Sequence, residues 1–205
     1  MLKKIFIELC SRHTNNVSLA GNLWSEIERA YSHQKRFYHN FTHLENIIAS
    51  LDQVKSQINN WDTILFSVFY HDIVYNPIKK NNEEVSAVLA VKRLTAFGVD
   101  DKIIDGCRVQ ILATKSHQFC NDADVNIFTD ADLAIIGSDW DTYNIYLANI
   151  RKEYNVFPDI ICKPGRKKVL THFLSMKRIY KTNYFFEKLE KKAKENLTKE
   201  LELLS

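Results

Sequence analysis

Apolar residues recur at three- and four-residue spacing along nearly the whole chain, which is the period of an amphipathic α-helix. Leu19, Leu23, Ile27 and Ala30 predict a helix over 17–33. Leu44, Ile47, Ile48, Leu51 and Val54 predict one over 42–57, and Leu65, Val68 and Phe69 one over 62–74. Further helices are expected over 82–97, 101–114, 124–136 and 140–154. A turn around Pro158 and Pro164-Gly165 should lead into a helix over about 166–180. The last helix, 183–204, places Phe186, Leu189, Ala193, Leu197 and Leu201 on one stripe. Thr42 with Glu45, and Asn81 with Glu84, stand at capping-box spacing, while Gly98 and Gly137 suit helix ends. No alternating run of strand length stands out. Val125-Asn126-Ile127-Phe128 could be extended but also continues a helix. The expectation is an all-α fold of about nine helices, one domain over 1–205 without repeats or linkers.

Composition agrees. Only 5 glycines and 3 prolines in 205 residues leave few chain breakers, and 45% hydrophobic with 26% charged residues is a globular balance. A net charge of +3 gives no signal for nucleic acid or an anionic membrane, though a local basic pocket is compatible with it. Cys10, Cys107, Cys120 and Cys162 form no C-x-x-C pair and fit neither a zinc ribbon nor a disulfide framework, so free thiols in a reducing compartment are expected. The first ten residues begin like a signal peptide, but Glu8 interrupts the apolar run and no small-residue cleavage site follows. They read better as a first amphipathic helix, and the expectation is a soluble cytoplasmic protein.

The chemistry begins where polar residues occupy apolar positions. On the helix over 62–74 the stripe Leu65, Val68, Phe69 continues to Asp72, preceded by His71. On the helix over 124–136, Asp132 shares a face with Phe128, Ile135 and Ile136. A carboxylate facing a core is expensive unless compensated, and two facing one core repel. A buried Arg or Lys partner, or a helix cap, would compensate either aspartate alone. His43, one turn before Ile47, can also face inward, and His39 lies in the approach to the same helix. Two inward histidines with two inward carboxylates make a donor set for a divalent ion: Mn, Fe, Co, Ni, Zn or Mg.

In this order, His43, His71-Asp72 and Asp132 resemble the HD superfamily of metal-dependent phosphohydrolases, whose pattern is H…HD…D. The resemblance extends to Tyr38-His39-Asn40-Phe41-Thr42-His43, Phe69-Tyr70-His71-Asp72-Ile73-Val74-Tyr75, Asn82-Glu83-Glu84 with Ser86-Ala87, and Asp130-Ala131-Asp132-Leu133-Ala134-Ile135-Ile136-Gly137. Arg151, Glu153-Tyr154, Gly165-Arg166 and Asn196-Leu197 also fit, so about residues 36–200 are covered, with core motifs in 36–137 and additional helices in 138–205. The resemblance implies an HD-like helical bundle. It also implies hydrolysis of a phosphomonoester or phosphodiester, such as a nucleotide or other small phosphorylated metabolite, by water that the ion activates. It implies His43, His71, Asp72 and Asp132 as ligands, with Asp130 the alternative to Asp132.

His39 resembles the histidine that protonates the leaving oxygen in cyclic nucleotide phosphodiesterases; a hydrogen-bonding cap is the plainer role. Glu83, or Glu84, could orient water or simply favour a helix N-terminus. Arg36, Lys115, His117 and Arg166 are candidate contacts for phosphate, each with a surface or helix-end role as the alternative. A second metal would need more histidines than His117 offers. Other readings are a nucleotide-binding HD module without turnover, a di-iron oxygenase, and a structural helical protein with ion-paired aspartates. The sequence leaves open whether the chain is a monomer or a homodimer.

Overall fold

The computed structural model describes residues 1–14 and 16–204, with Val17 by its backbone alone. Among them the chain is all-helical, with ten α-helices and two short 3-10 helices. In order these are α1 (Leu2–Ser11), α2 (Val17–Tyr31), α3 (Phe41–Asp52), α4 (Trp61–Tyr70), α5 (Asn82–Phe97), α6 (Asp101–Ala113), α7 (Ala123–Asp132), α8 (Trp140–Glu153), α9 (Asp159–Ser175) and α10 (Asn183–Leu203). The 3-10 helices are Lys55–Gln57 and Leu133–Gly137. Among the described residues no helix is long and apolar enough to cross a membrane.

The chain forms two compact units, residues 1–129 and 130–205, and the division falls within the last turn of α7. In the first unit α4 is the central helix, packed against α1, α3, α5 and α6. Its residues Thr63 to Tyr70 are all buried. It is therefore enclosed on every side from Thr63 onward, with Thr63 and Ser67 buried among apolar residues, and the stripe read from Leu65, Val68 and Phe69 is part of that enclosed stretch. Asp124, near the start of α7, accepts from the main-chain N–H groups of Asn59 and Asn60, fastening α7 to the entry of α4. In the second unit α10 packs on the 3-10 helix Leu133–Gly137 and on α9.

Several boundaries differ from the sequence expectation. The helix expected over 62–74 ends at Tyr70, so His71 and Asp72 lie in the turn beyond it. The helix expected over 42–57 stops at Asp52, and a 3-10 turn follows. Its N-cap is Asn40, whose side chain accepts from the Thr42 N–H, in place of the capping box read at Thr42. Asn81 stands at the N-cap of α5 but makes no side-chain cap bond. Gly98 does end α5, in the left-handed conformation that glycine adopts without strain. The turn expected at Pro164-Gly165 is absent: α9 starts at Asp159 behind Pro158 and runs through Pro164. Pro164 forfeits one intrahelical hydrogen bond, but it sits on an exposed face where water can serve the freed carbonyl.

Candidate metal centre

The site begins with a turn. His71 caps α4 in helical conformation, its N–H still donating to Ser67 O, and Asp72 follows. The ring of His71 is buried, and its Nδ1 lies 3.0 Å from Val68 O. A carbonyl only accepts, so Nδ1 carries a proton; Nε2 donates to Asp72 Oδ2 when the ring is doubly protonated and presents a lone pair when the ring is neutral. That nitrogen faces His43 Nε2 at 3.2 Å and Asp72 Oδ2 at 3.1 Å. His43 comes from the first turn of α3 and is buried as well. Its Nε2 is 3.8 Å from the same Asp72 oxygen.

Asp132 arrives on α7. Phe128 of that helix packs edge-on against the His71 ring, with centroids 5.8 Å apart. Asp132 is one turn further along α7 and belongs to the second unit. Within the first unit His71 Nε2 is 3.2 Å from His43 Nε2, and Asp72 Oδ2 is 3.1 Å from His71 Nε2 and 3.8 Å from His43 Nε2. Ligands bound at ~2.1 Å to one ion stand ~3–4 Å apart, so this spacing suits a single cation.

The donor chemistry fits such an ion. Imidazole nitrogens with lone pairs and acidic oxygens are all acceptors, and acceptors do not converge in a buried place without a proton or a cation between them. Burial pushes the Asp72 carboxyl up. The His71, His39 and His43 rings around it, with the hydrogen bond from His71, outweigh burial and hold the carboxyl well below the usual carboxylate range. Asp72 is thus an anion, and His71 has its second nitrogen anchored to a carbonyl as metal-ligating histidines commonly do.

His39 joins the group. Its Nε2 is 3.8 Å from Asp72 Oδ2, and its ring stacks on Tyr75 with centroids 4.2 Å apart. Tyr38 packs its ring 4.8 Å from that of His43. The loop after the turn is fastened by Ser86 of α5, whose hydroxyl accepts from the Val74 N–H and lies within hydrogen-bonding distance of Val74 O. Asn82 clasps the next stretch with a reciprocal pair to the main chain of Asn76. The asparagine and serine of the Asn82–Ala87 element are therefore loop fasteners.

The remaining sequence candidates take other positions. Arg36 donates to main-chain carbonyls of the turn. Glu83 lies in the first turn of α5 beside Glu84, which pairs with Lys115. Lys115 also donates to Lys80 O at 3.0 Å. His117 follows α6 with φ 51°, and its N–H donates to Ala113 O. Arg166 lies in the middle of α9, where the sequence had suggested a helix N-terminus. Its guanidinium is engaged by both oxygens of Glu200 at 2.7 and 2.9 Å, and the same carboxylate accepts from the buried Tyr143 hydroxyl.

Asp130, the alternative ligand, is fully buried in the second unit. Its oxygens accept from the N–H groups of Lys181 and Thr182 and from the Thr182 hydroxyl. Tyr31 went unnoticed in the sequence, where it reads as a core aromatic ending α2. Its hydroxyl accepts from the Asp72 N–H at 3.3 Å. Comparison of the chain with protein-family models, with curated proteins and with solved structures gave no match in any of the three, so the reading of the site rests on its own chemistry.

Proposed function

We propose that this chain is a metal-dependent phosphohydrolase of the HD type, acting on a phosphomonoester or phosphodiester of a nucleotide or other small phosphorylated metabolite. The observation that carries this reading is the convergence of His43, His71 and Asp72, with Asp72 Oδ2 against both rings; Asp132 is the proposed further ligand. A divalent ion held there supplies positive charge against phosphate oxygens and activated water at neutral pH. The chain's own residues do the rest. His71 and His43 would meet the ion as neutral rings, and the Val68 carbonyl fixes the tautomer of the first. Asp72 Oδ2 lies 3.8 Å from His39 Nε2 and is a partner for the protonated form of that ring. His39 in that form can return a proton to the leaving oxygen, and its stacking on Tyr75 restricts where the ring points. Glu83 is the further candidate for orienting water.

The test is a panel of phosphomonoesters and phosphodiesters, including nucleotides and cyclic nucleotides, assayed with Mn, Co, Ni, Mg, Zn and Fe in turn. Changes to groups that merely orient metal ligands cost about 10–100-fold. Asp72→Ala and His43→Ala should therefore lower turnover by more than about 100-fold. Turnover unchanged in both variants would remove the chemistry from this site.

A further inference from the structure

Arg36 places a permanent positive charge beside the turn that bears the proposed cation ligands. Coulomb repulsion alone would make it a handicap to metal binding. Its contacts suggest what it does instead. Nη1 donates to Asp72 O at 2.6 Å and to His39 O at 3.3 Å, and Nη2 donates to Ile73 O at 2.9 Å. The planar fork thus bridges two segments of chain, the loop before α3 and the turn after α4. The guanidinium lies between two aromatic rings, 4.9 Å from the Tyr31 centroid and 5.7 Å from that of Tyr75. Tyr31 grips the same residue from its other end by accepting from the Asp72 N–H. Both main-chain groups of Asp72 are therefore fixed by side chains, and only its own side-chain torsions remain free.

We propose that Arg36 is a positioning residue that locks the His71-Asp72 turn to the His39 loop, setting the ligand geometry before a cation arrives; this rests on the proposed metal centre. A lysine cannot replace it, because one ammonium on a flexible stem cannot span three carbonyls as a rigid fork does. Geometry and charge predict opposite signs. If charge dominated, removing the guanidinium would tighten cation binding. If geometry dominates, removal weakens it.

The experiment is titration calorimetry of Co(II) into the metal-free full-length protein and into Arg36→Met and Arg36→Lys, with thermal melts of each. Arg93→Met, which breaks a two-pronged pair with Glu26 between α5 and α2, controls for general loss of stability. Arg36→Met should bind Co(II) about 10–100-fold more weakly than wild type. Arg36→Lys should also be weakened although its charge is kept, and Arg93→Met should bind like wild type. Arg36→Met within twofold of wild type, or tighter, overturns the proposal. So does an equal weakening in Arg93→Met at a similar melting temperature. If Arg36→Met does not fold, Arg36→Lys decides by the same twofold limit. Failure of the wild type to take up Co(II) would instead overturn the metal centre, and the role of Arg36 with it.

Discussion

Asp130 and Asp132 stand two residues apart at the end of α7, so a helix turning ~100° per residue points them in nearly opposite directions. Asp130 meets the main chain at Lys181 and Thr182, and the buried Lys181 ammonium is 3.4 Å from it. Asp132 is the carboxylate assigned to the proposed metal centre. Removing one partner of a buried charge pair costs about 3–5 kcal/mol because the other is left uncompensated. Asp130→Ala should therefore lose stability of that order while the folded protein keeps its metal. Asp132→Ala should change the melting temperature little and weaken metal binding more than about tenfold. Thermal melts paired with metal analysis of both variants check this, and the reverse pattern would exchange the two roles. Spacing puts Asp132 on the face of Phe128, Ile135 and Ile136, but it does not say what Asp130 meets. What separates them is the segment around residue 181, which the sequence does not show to be nearby.

At the scale of elements, the helices themselves were legible because their apolar spacing is regular and their breakers few. The ends were less so, for physical reasons that differ from place to place. Asp72 looked like the next core position of a helix, yet the helix ends at Tyr70, and the carboxylate is 17% exposed in a turn. Inward placement came from the turn, which no period encodes. Gly137 looked like a helix stop. Its backbone lies so close to α10 that a Cβ there would stand 2.6 Å from Leu189 Cβ, and Asn196 of α10 donates to the neighbouring Ile136 and Ser138 carbonyls. The glycine thus permits close packing, a property invisible without the partner helix.

The start of α4, which positions the turn, carries its own electrostatic tie. Asp62 accepts from the Arg12 guanidinium at 2.7 Å and faces His13 Nε2 at 2.9 Å. Burial raises the Asp62 pKa, but hydrogen bonds and charge from Arg12 and His13 overcome it and leave it lowered. A lowered carboxylate stabilises the fold above its unfolded pKa of ~3.9 and ceases to do so as pH falls through the lower folded value. Arg12 is half exposed, so the tie is worth about 1 kcal/mol or less. Asp62→Asn should melt below wild type near pH 5, and the margin should close as pH drops below ~3.9. A margin that widened in acid would contradict this assignment.

At the scale of the molecule, an all-helical chain was expected and found. The four motif elements earn their places separately: Asn40 caps α3, His71 ends α4, Asn82 and Ser86 fasten the loop between α4 and α5, and Asp132 ends α7. In the proposed metal centre three of these elements carry a ligand and the fourth fastens the loop that follows the His71-Asp72 turn. Arg36 and Tyr31 were less legible, since their partners are main-chain groups and leave no mark in side-chain chemistry. The fold alone supports many functions, so the proposed activity stands or falls with the proposed ion. The most direct measurement is the metal content of protein reconstituted with Mn, Fe, Co, Ni, Zn or Mg, then freed of loosely bound metal, for wild type and His43→Ala. The account predicts one tightly held ion per chain in the wild type and its loss from His43→Ala; no retained ion in the wild type, or equal retention in the variant, would contradict it.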